Sequence, residues 1–334
     1  MKFYNIPLFI PQQACDYTCV FCNQKKITGQ AEFPTEEEIH IKINQYLSTI
    51  KHDSHVEIAF FGGSFTANPI SIQEKYLKMI QKYIKLNQIQ GIRISTRPDS
   101  IKQNILDLLK KYNVKTIELG IQSMNDNVLK RSGRKHSLKD SLLSSKLIKK
   151  NGFQLGLQMM IGLPESTFDI ELDTAKKIVD MKADFARIYP TLVFKNTELE
   201  GMFLNKKYSP LTLDETISRL KHLLILFEKN NIPVIRIGLH PSDELLNNDA
   251  LVAGPFHVSL RELVETQIFR DILVQKVDLN RKANEIEIEV PQNQINYAIG
   301  YHAKNKNFLK QFFVKVKFLP SNLLKNRMIN VFYH

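Results

Sequence analysis

The chain has 334 residues, 43% of them hydrophobic, and a formal net charge of +12. That length suits one large α/β domain with a small appendage, or two ordinary domains, and the apolar share is enough for a proper core. No apolar run approaches the roughly 18 residues that span a bilayer. Met1 to Ala14 has Lys2 as its only basic residue and is interrupted by Pro7 and Pro11, so it reads as a first strand rather than a leader. A cytoplasmic protein without membrane contact is expected. The charge permits a polyanionic partner, and its distribution is uneven. Lys130 to Lys150 carries eight Lys or Arg residues and one acid, Asp140; Pro291 to His334 carries seven and no acid.

In chain order, a strand over Phe3 to Ile10 delivers the chain into Cys15-Asp16-Tyr17-Thr18-Cys19-Val20-Phe21-Cys22, which holds all three cysteines. Three thiolates at C-x3-C-x2-C can grip three corners of a cubic [4Fe–4S] cluster, whose usual complement is four cysteines. With no fourth cysteine in the chain, one iron is left for a non-protein ligand. On spacing alone two other readings stay open. A zinc site would need a histidine from elsewhere, the nearest being His40. A disulfide with an orphan thiol is disfavoured in a chain without secretory features.

The spacing next predicts a helix opened by Pro34-Thr35-Glu36-Glu37-Glu38, with Ile39, Ile43 and Leu47 on one face. A buried strand over Val56 to Phe61 closes on Gly62-Gly63-Ser64-Phe65. A helix from about Ser71 to Lys85 precedes a strand over Gly91 to Thr96. Helices over Ser100 to Lys111, Asn125 to Arg131 and Leu138 to Lys150 alternate with strands over Lys115 to Leu119 and Gln154 to Ile161. The last of these strands stops at Gly162-Leu163-Pro164. A helix over Phe168 to Met181, a strand over Phe185 to Tyr189, a helix over Leu213 to Lys229 and a strand over Val234 to Ile237 complete the run.

Alternation of this kind means a parallel sheet with covered faces. At least six βα units in about 240 residues make a full or partial TIM-like (β/α) barrel the economical α/β fold, with a doubly wound open sheet as the alternative. Residues 1–245 are expected to form that core and 246–334 a small C-terminal α+β domain. In either fold ligands gather at the C-terminal ends of the strands, where the cysteine segment and Gly62-Gly63 both lie.

These motifs together resemble the radical S-adenosylmethionine (SAM) superfamily, and within it the branch related to the catalytic subunit of elongator, elongator protein 3. The resemblance covers about residues 3–270. It implies a [4Fe–4S] cluster on Cys15, Cys19 and Cys22, with Phe21 as the aromatic residue before the last cysteine. Gly62, Gly63 and Ser64 match the segment that receives the amino end of SAM, and Ser95 and Arg97 the end of the third strand, which contacts its sulfonium side or carboxylate. Gln122, in Glu118-Leu119-Gly120-Ile121-Gln122-Ser123, would point into the barrel mouth. Arg134, in Arg131-Ser132-Gly133-Arg134-Lys135-His136, matches the arginine that pairs with the SAM carboxylate, and Gln158 a polar contact to the ribose. Ile161-Gly162-Leu163-Pro164, with Leu192 after Tyr189-Pro190, would shape the adenine pocket. Taken singly, each of these short segments is more often a turn, a surface charge or an inward-pointing strand residue; their order along the chain is what carries the resemblance.

The chemistry implied is reductive cleavage of SAM to a 5′-deoxyadenosyl radical that abstracts hydrogen from a substrate, with an electron donor such as flavodoxin or ferredoxin as partner. Val252-Ala253-Gly254-Pro255-Phe256 and Leu260-Arg261-Glu262-Leu263-Val264-Glu265 resemble the close of the elongator-type radical domain, and the acetyltransferase domain that follows there is expected to be absent. Beyond them, a strand at Glu285 to Val290, a helix over Pro291 to Ile299, the turn Gly300-Tyr301-His302-Ala303, a helix over Lys304 to Phe312 and a strand at Phe313 to Phe318 follow the β-α-turn-α-β order of a KH core. Ala303 stands where that core has its second glycine, and Lys304, Lys306, Lys310, Lys315 and Lys317 lie close by. The leading expectation is an enzyme acting on RNA, a tRNA base for instance. The alternatives are a radical SAM enzyme for a small anionic metabolite or porphyrin-like substrate, and a non-catalytic iron–sulfur protein that binds RNA.

Overall fold

The computed structural model describes residues 2–11, 19–23, 32–51, 53–239, 245, 247 and 250–334. Cys15 lies outside the described residues, as do His240 and Pro241. The chain divides into two compact units: Met1–Thr212 with Leu226–Pro255, and Leu213–Ile225 with Phe256–His334.

The first unit is built on seven parallel strands. They are β1 (Phe3–Ile10), β2 (His55–Gly62), β3 (Gly91–Thr96), β4 (Val114–Gln122), β5 (Gln154–Ile161), β6 (Phe185–Pro190) and, after a short ribbon strand β7 (Val193–Phe194), β8 (Val234–Ile237). They pair side by side in chain order, β1-β2-β3-β4-β5-β6-β8. A doubly wound sheet would reverse direction partway along that order; this one never does. The strands curl into an open half-barrel, so the partial TIM-like fold is the one formed. Between them run α1 (Glu36–Leu47), α2 (Ile70–Lys85), α3 (Gln103–Lys111), α4 (Asp126–Arg131), α5 (Leu138–Lys150), α6 (Phe168–Asp180), α7 (Glu198–Leu204) and α8 (Leu213–Lys229), the last with residues in both units. β9 (Leu251–Ala253) pairs antiparallel with β7.

Local sequence explains where the helices begin. Thr35 and Glu38 form a reciprocal capping box: the Glu38 amide donates to Thr35 Oγ1 at 3.2 Å, and the Thr35 amide to Glu38 Oε2 at 2.7 Å. Ser137 and Asp140 do the same for α5. Each such cap is worth about 1 kcal/mol.

The two faces of the sheet differ. Ile58 and Phe60, Ile92 and Ile94, Ile117 and Leu119, Leu155 and Leu157 fill alternate positions and are almost fully buried. At the intervening positions the strands carry charge. Arg93 Nε donates to Glu57 Oε2 at 3.1 Å and its Nη1 to Glu118 Oε1 at 2.8 Å. Arg187 Nε donates to Glu118 Oε2 at 2.6 Å and its Nη2 to Glu118 Oε1 at 3.2 Å. Burial opposes the Arg187 charge, but the Glu118 carboxylate, helped by Tyr189, outweighs it and holds the guanidinium above the ordinary arginine value. A ladder of two acids and two arginines therefore crosses four strands inside the half-barrel, with Arg93 also over the Phe185 ring and Arg187 over the Phe61 ring.

The second unit contains α9 (Leu260–Lys276), β10 (Glu285–Pro291), α10 (Ile295–Ile299), α11 (Lys304–Leu309), β11 (Lys315–Ser321) and β12 (Asn330–Tyr333). β10 is central, parallel to β11 and antiparallel to β12. Ile286, Ile288, Val290 and Val316 pack with Phe269, Leu273, Leu309 and Phe313 into its core. Glu285 and Glu287 occupy the alternate positions, where they bind Lys315 and Lys317 in ion pairs.

Candidate active site

The site lies at the C-terminal ends of the strands, where βα loops carry the polar residues. Cys19, 7% exposed, and Cys22, half-buried, are both thiols. Their segment is held by backbone bonds. The Cys22 amide donates to Cys19 O at 2.9 Å, the Val20 amide to Ser132 O at 3.1 Å and the Leu199 amide to Val20 O at 2.8 Å. Asn23 Nδ2 donates to Lys195 O at 2.9 Å. Phe21 packs on two clusters at once, Val193, Leu199, Met202 and Tyr208 on one side and Val128, Met160 and Leu163 on the other.

Arg134 follows α4 and reaches into the same region. Its Nη1 donates to Cys19 Sγ at 3.4 Å and its Nη2 to Gly120 O at 2.6 Å. Its Nε is buried and finds no partner among the described residues. Gly120 precedes a bulge in β4: the register slips between Gly120 and Gln122, and Gln122 takes φ +63°. The bulge turns Gln122 toward β5, where its Oε1 accepts from Gln158 Nε2 at 3.3 Å. Cys19, Arg134, Gln122 and Gln158 are thus joined through one short run of contacts around Gly120.

His136, two residues beyond Arg134, is 3% exposed, and its Nε2–H donates to Ile121 O at 3.1 Å. Burial, with the Arg134 charge second, pushes its pKa down to about 4, so the ring is neutral near pH 7. Its Nδ1 has no partner among the described residues.

On the other side of the mouth, Gly62 has a backbone reason of its own. It sits at φ +102°, and a Cβ there would meet Ile10 O at 2.6 Å. The Gly63 amide donates to the same carbonyl at 2.7 Å, locking the Gly-Gly segment to the end of β1. Ser64 Oγ shares a hydrogen bond with Thr96 Oγ1 at 2.8 Å, Thr66 Oγ1 lies 2.6 Å from Thr96 Oγ1, and the Arg97 amide donates to Ser64 Oγ at 3.0 Å. Arg97 sends Nε and Nη2 to the two carboxylate oxygens of Asp99, at 3.1 and 3.0 Å. Its backbone meets Ser64 while its guanidinium is held by Asp99. Ser95 is half-buried on β3, level with Glu118 of β4.

The Gly162 turn is clamped from both sides. Its amide donates to Glu171 Oε1 at 2.7 Å and its carbonyl accepts from the Tyr208 hydroxyl at 2.7 Å. Burial, reinforced by Glu171, pushes the Tyr208 hydroxyl above its usual value. Leu163 and Leu192 are buried beside it.

Two features escape the motif reading. The Thr96 hydroxyl hub gives no signal, because threonine at a strand end is common. The Glu57–Arg93–Glu118–Arg187 ladder does give one: each charge stands alone between apolar neighbours on a strand of the parallel sheet (Val56-Glu57-Ile58, Ile92-Arg93-Ile94, Ile117-Glu118-Leu119, Ala186-Arg187-Ile188). Buried charges need partners, and their strands are neighbours or next-neighbours.

The residues fit a metal cluster and a charged amino-acid cofactor. Two thiols lie in one short segment, and a half-buried arginine reaches Cys19 Sγ while its buried Nε has no partner among the described residues. Sequence comparison agrees. Residues 9–178 match the Radical SAM superfamily and residues 183–270 the Radical SAM C-terminal domain. The tRNA uridine(34) acetyltransferase of Methanocaldococcus infernus is 27% identical over 194 residues, 52% of this chain and 36% of that protein. The heme chaperone HemW of Bacillus subtilis is 26% identical over 200 residues, 56% of this chain and 52% of that one. The chain therefore spans between about a third and a half of these relatives' length. The solved archaeal Elp3 of Methanocaldococcus infernus, lacking residues 1–46, has the same fold, with a TM-score of 0.65 at 21% identity over 81% of this chain and 63% of that one. The chain belongs to the radical SAM superfamily, an enzyme family whose members bind a [4Fe–4S] cluster and SAM.

Proposed function

We propose that this enzyme uses SAM-derived radical chemistry on an RNA base, with Cys15, Cys19 and Cys22 holding the cluster. When bound, the cluster and SAM supply a hydrogen-abstracting radical; the protein's part is to bind, orient and keep out water. The observation that carries the reading is Arg134. Its guanidinium touches Cys19 Sγ and Gly120 O and keeps a buried Nε without a partner. An unpaired buried donor on a cation costs on the order of 1–3 kcal/mol, and a SAM carboxylate would relieve it.

Gln122 and Gln158, paired with each other across β4 and β5, are the polar groups offered to the ribose. Gly62 and Gly63 keep backbone rather than side chain at the mouth, which suits the amino end of SAM. Ser64, Ser95 and Arg97 border this segment; the Asp99 clamp on Arg97 favours a role for its backbone over its guanidinium. Phe21 fixes the cysteine segment against the Leu163 side of the adenine pocket.

The RNA assignment draws on similarity to a protein named for tRNA uridine(34) and on the chain's positive charge. A second reading, a small anionic or porphyrin-like substrate, draws on the similarity to HemW. The deciding experiment is anaerobic reconstitution with iron and sulfide, followed by SAM and a reductant. Deoxyadenosine should appear, and total tRNA added to the reaction should gain a new nucleoside. Deoxyadenosine with no RNA product under any RNA tested favours the second reading. SAM binding without deoxyadenosine would leave a non-catalytic iron–sulfur protein.

A further inference from the structure

The second unit holds a cavity of about 470 Å³ whose lining shares no residue with the candidate cluster and SAM site. It is lined by Glu262 and Thr266 of α9, Asn293, Asn296 and Tyr297 around α10, and Tyr301 of the following turn. Its volume lies in the range of small-ligand sites. The side chains of Glu262, Asn293 and Asn296 make no hydrogen bond or ion pair among the described residues. One carboxylate, two amides and two tyrosines therefore border a solvent-open space, the carboxylate and the amides without a protein partner among the described residues.

The wall of this cavity is built to hold its shape. Gly300, His302 and Ala303 take φ of +86°, +49° and +57°, so two non-glycine residues stand in the left-handed region within one turn. Such residues cost on the order of 1–3 kcal/mol each and persist only where the surroundings enforce them. Here Thr266 and Asn305 enforce them. The Tyr301 amide donates to Thr266 Oγ1 at 2.8 Å, and the fully buried Asn305 sends Nδ2 to Thr266 O at 3.0 Å while its Oδ1 accepts from Arg270 Nε at 3.0 Å. A Cβ on Gly300 would meet Thr266 Cγ2 at 2.9 Å.

Beyond the turn, part of the positive charge is already paired. Lys315 and Lys317 are bound to Glu285 and Glu287, and Arg327 to Glu265. Lys304, Lys306 and Lys310, on and just after α11, form no ion pair among the described residues. Three of the tail's cations without an ion pair among the described residues thus follow the turn in sequence; the fourth, Lys325, lies between β11 and β12.

We propose that this cavity receives an unpaired guanine base of an RNA strand, whose phosphates run over Lys304, Lys306 and Lys310. Its ligand class rests on the RNA reading above. A carboxylate only accepts, and the Watson–Crick edge of guanine presents two adjacent N–H donors beside a carbonyl that an asparagine amide can reach. Adenine and cytosine each present one amino donor beside a ring acceptor, which a carboxylate repels. Tyr297 and Tyr301 supply aromatic surface of the kind single-stranded bases stack on.

The test uses the full chain, cluster-loaded under anaerobic conditions, and fluorescence anisotropy with labelled octauridylates carrying one central G, A or C. The G strand should bind at least 10-fold tighter than the A strand. The double variant Glu262→Gln/Asn296→Ala, at exposed positions, should lose that preference and keep the baseline affinity. Lys304→Glu with Lys306→Glu should weaken all three strands alike and flatten the salt dependence. No preference for G in the parent protein, or a preference unchanged in the double variant, overturns the inference. Nucleoside analysis of tRNA in the same preparations separates the two readings. A G preference without RNA modification removes the substrate reading alone, whereas RNA modification without a G preference removes the cavity reading alone.

Discussion

Two regions of the half-barrel, one along its strands and one at their C-terminal ends, treat polar groups in opposite ways. Midway along the strands, Glu57, Arg93, Glu118 and Arg187 satisfy one another, each charge facing an opposite one. At the mouth, Arg134 keeps a donor unpaired, Gln122 and Gln158 share one long bond, and His136 has an unused ring nitrogen. Paired buried charge is a structural device; a cluster of unpaired buried polar atoms at a strand-end mouth suits the binding of a polar ligand. Variants of the ladder should therefore damage folding and spare binding, and variants of Arg134 and Gln158 should do the reverse; His136, at the mouth but itself buried, should act on stability.

The sharpest break is at Glu118. Replacing it with Ala leaves Arg187 buried without a carboxylate and should cost about 3–5 kcal/mol, read as a lower urea midpoint. Pairing Glu118→Leu with Arg187→Met should recover most of that loss, because the orphaned charge and not the missing pair is what destabilises.

Acid should come next. His136 has its pKa lowered to about 4 in the fold, against an unfolded value near 6.5. Between those values the unfolded chain binds the extra proton, so this contribution is complete above pH 6.5 and lost as pH falls toward 4. The difference amounts to about 3 kcal/mol. A His136→Gln variant should show a flatter pH–stability curve across that window.

At Arg134, Ala should raise the apparent KM for SAM in the deoxyadenosine assay about 10–100-fold, the range for a hydrogen bond to a charged group. Its urea midpoint should move less than that of Glu118→Ala. Gln158→Ala is the mildest: about 2–10-fold on the same KM, as for a neutral hydrogen bond, with little change in stability. If Arg134→Ala instead lowered stability as much as Glu118→Ala and left the KM alone, the contrast between the two regions would collapse.

Much of this architecture is legible from the residues, for local reasons. Strands such as Phe3–Ile10, Gly91–Thr96 and Gln154–Ile161, and helices such as Leu138–Lys150 and Leu213–Lys229, have the bounds their apolar patterns predict, because caps and periodicity coincide there. β4 runs on to Gln122, three residues past the predicted Leu119 end, because a bulge carries the strand across Gly120 in a way no periodicity encodes. α9 was legible only as a motif, since its apolar residues, Leu263, Val264, Ile268 and Phe269 among them, do not confine themselves to one narrow stripe. β12 and the β7–β9 ribbon depend on partners distant in sequence and leave no local trace. In the site, the cysteines stand out by spacing, and Arg134 and Gln122 only through the family resemblance of their segments. The reach of Arg134 to Cys19 Sγ, 115 residues away, is a product of tertiary packing alone.

That reach, with the bonds from Val20 to Ser132 and Leu199 and from Asn23 to Lys195, has a consequence for biogenesis. The cysteines leave the ribosome early, but the segments that shape their loop are made more than a hundred residues later. At about 5–20 residues per second, the loop waits roughly 10–35 s for Leu199 to emerge. Iron insertion beside an anchored Cys19–Asn23 segment should therefore follow translation of the barrel. A chain ending at Tyr189, with all its cysteines intact, should take up iron less completely than the full chain when both are reconstituted side by side.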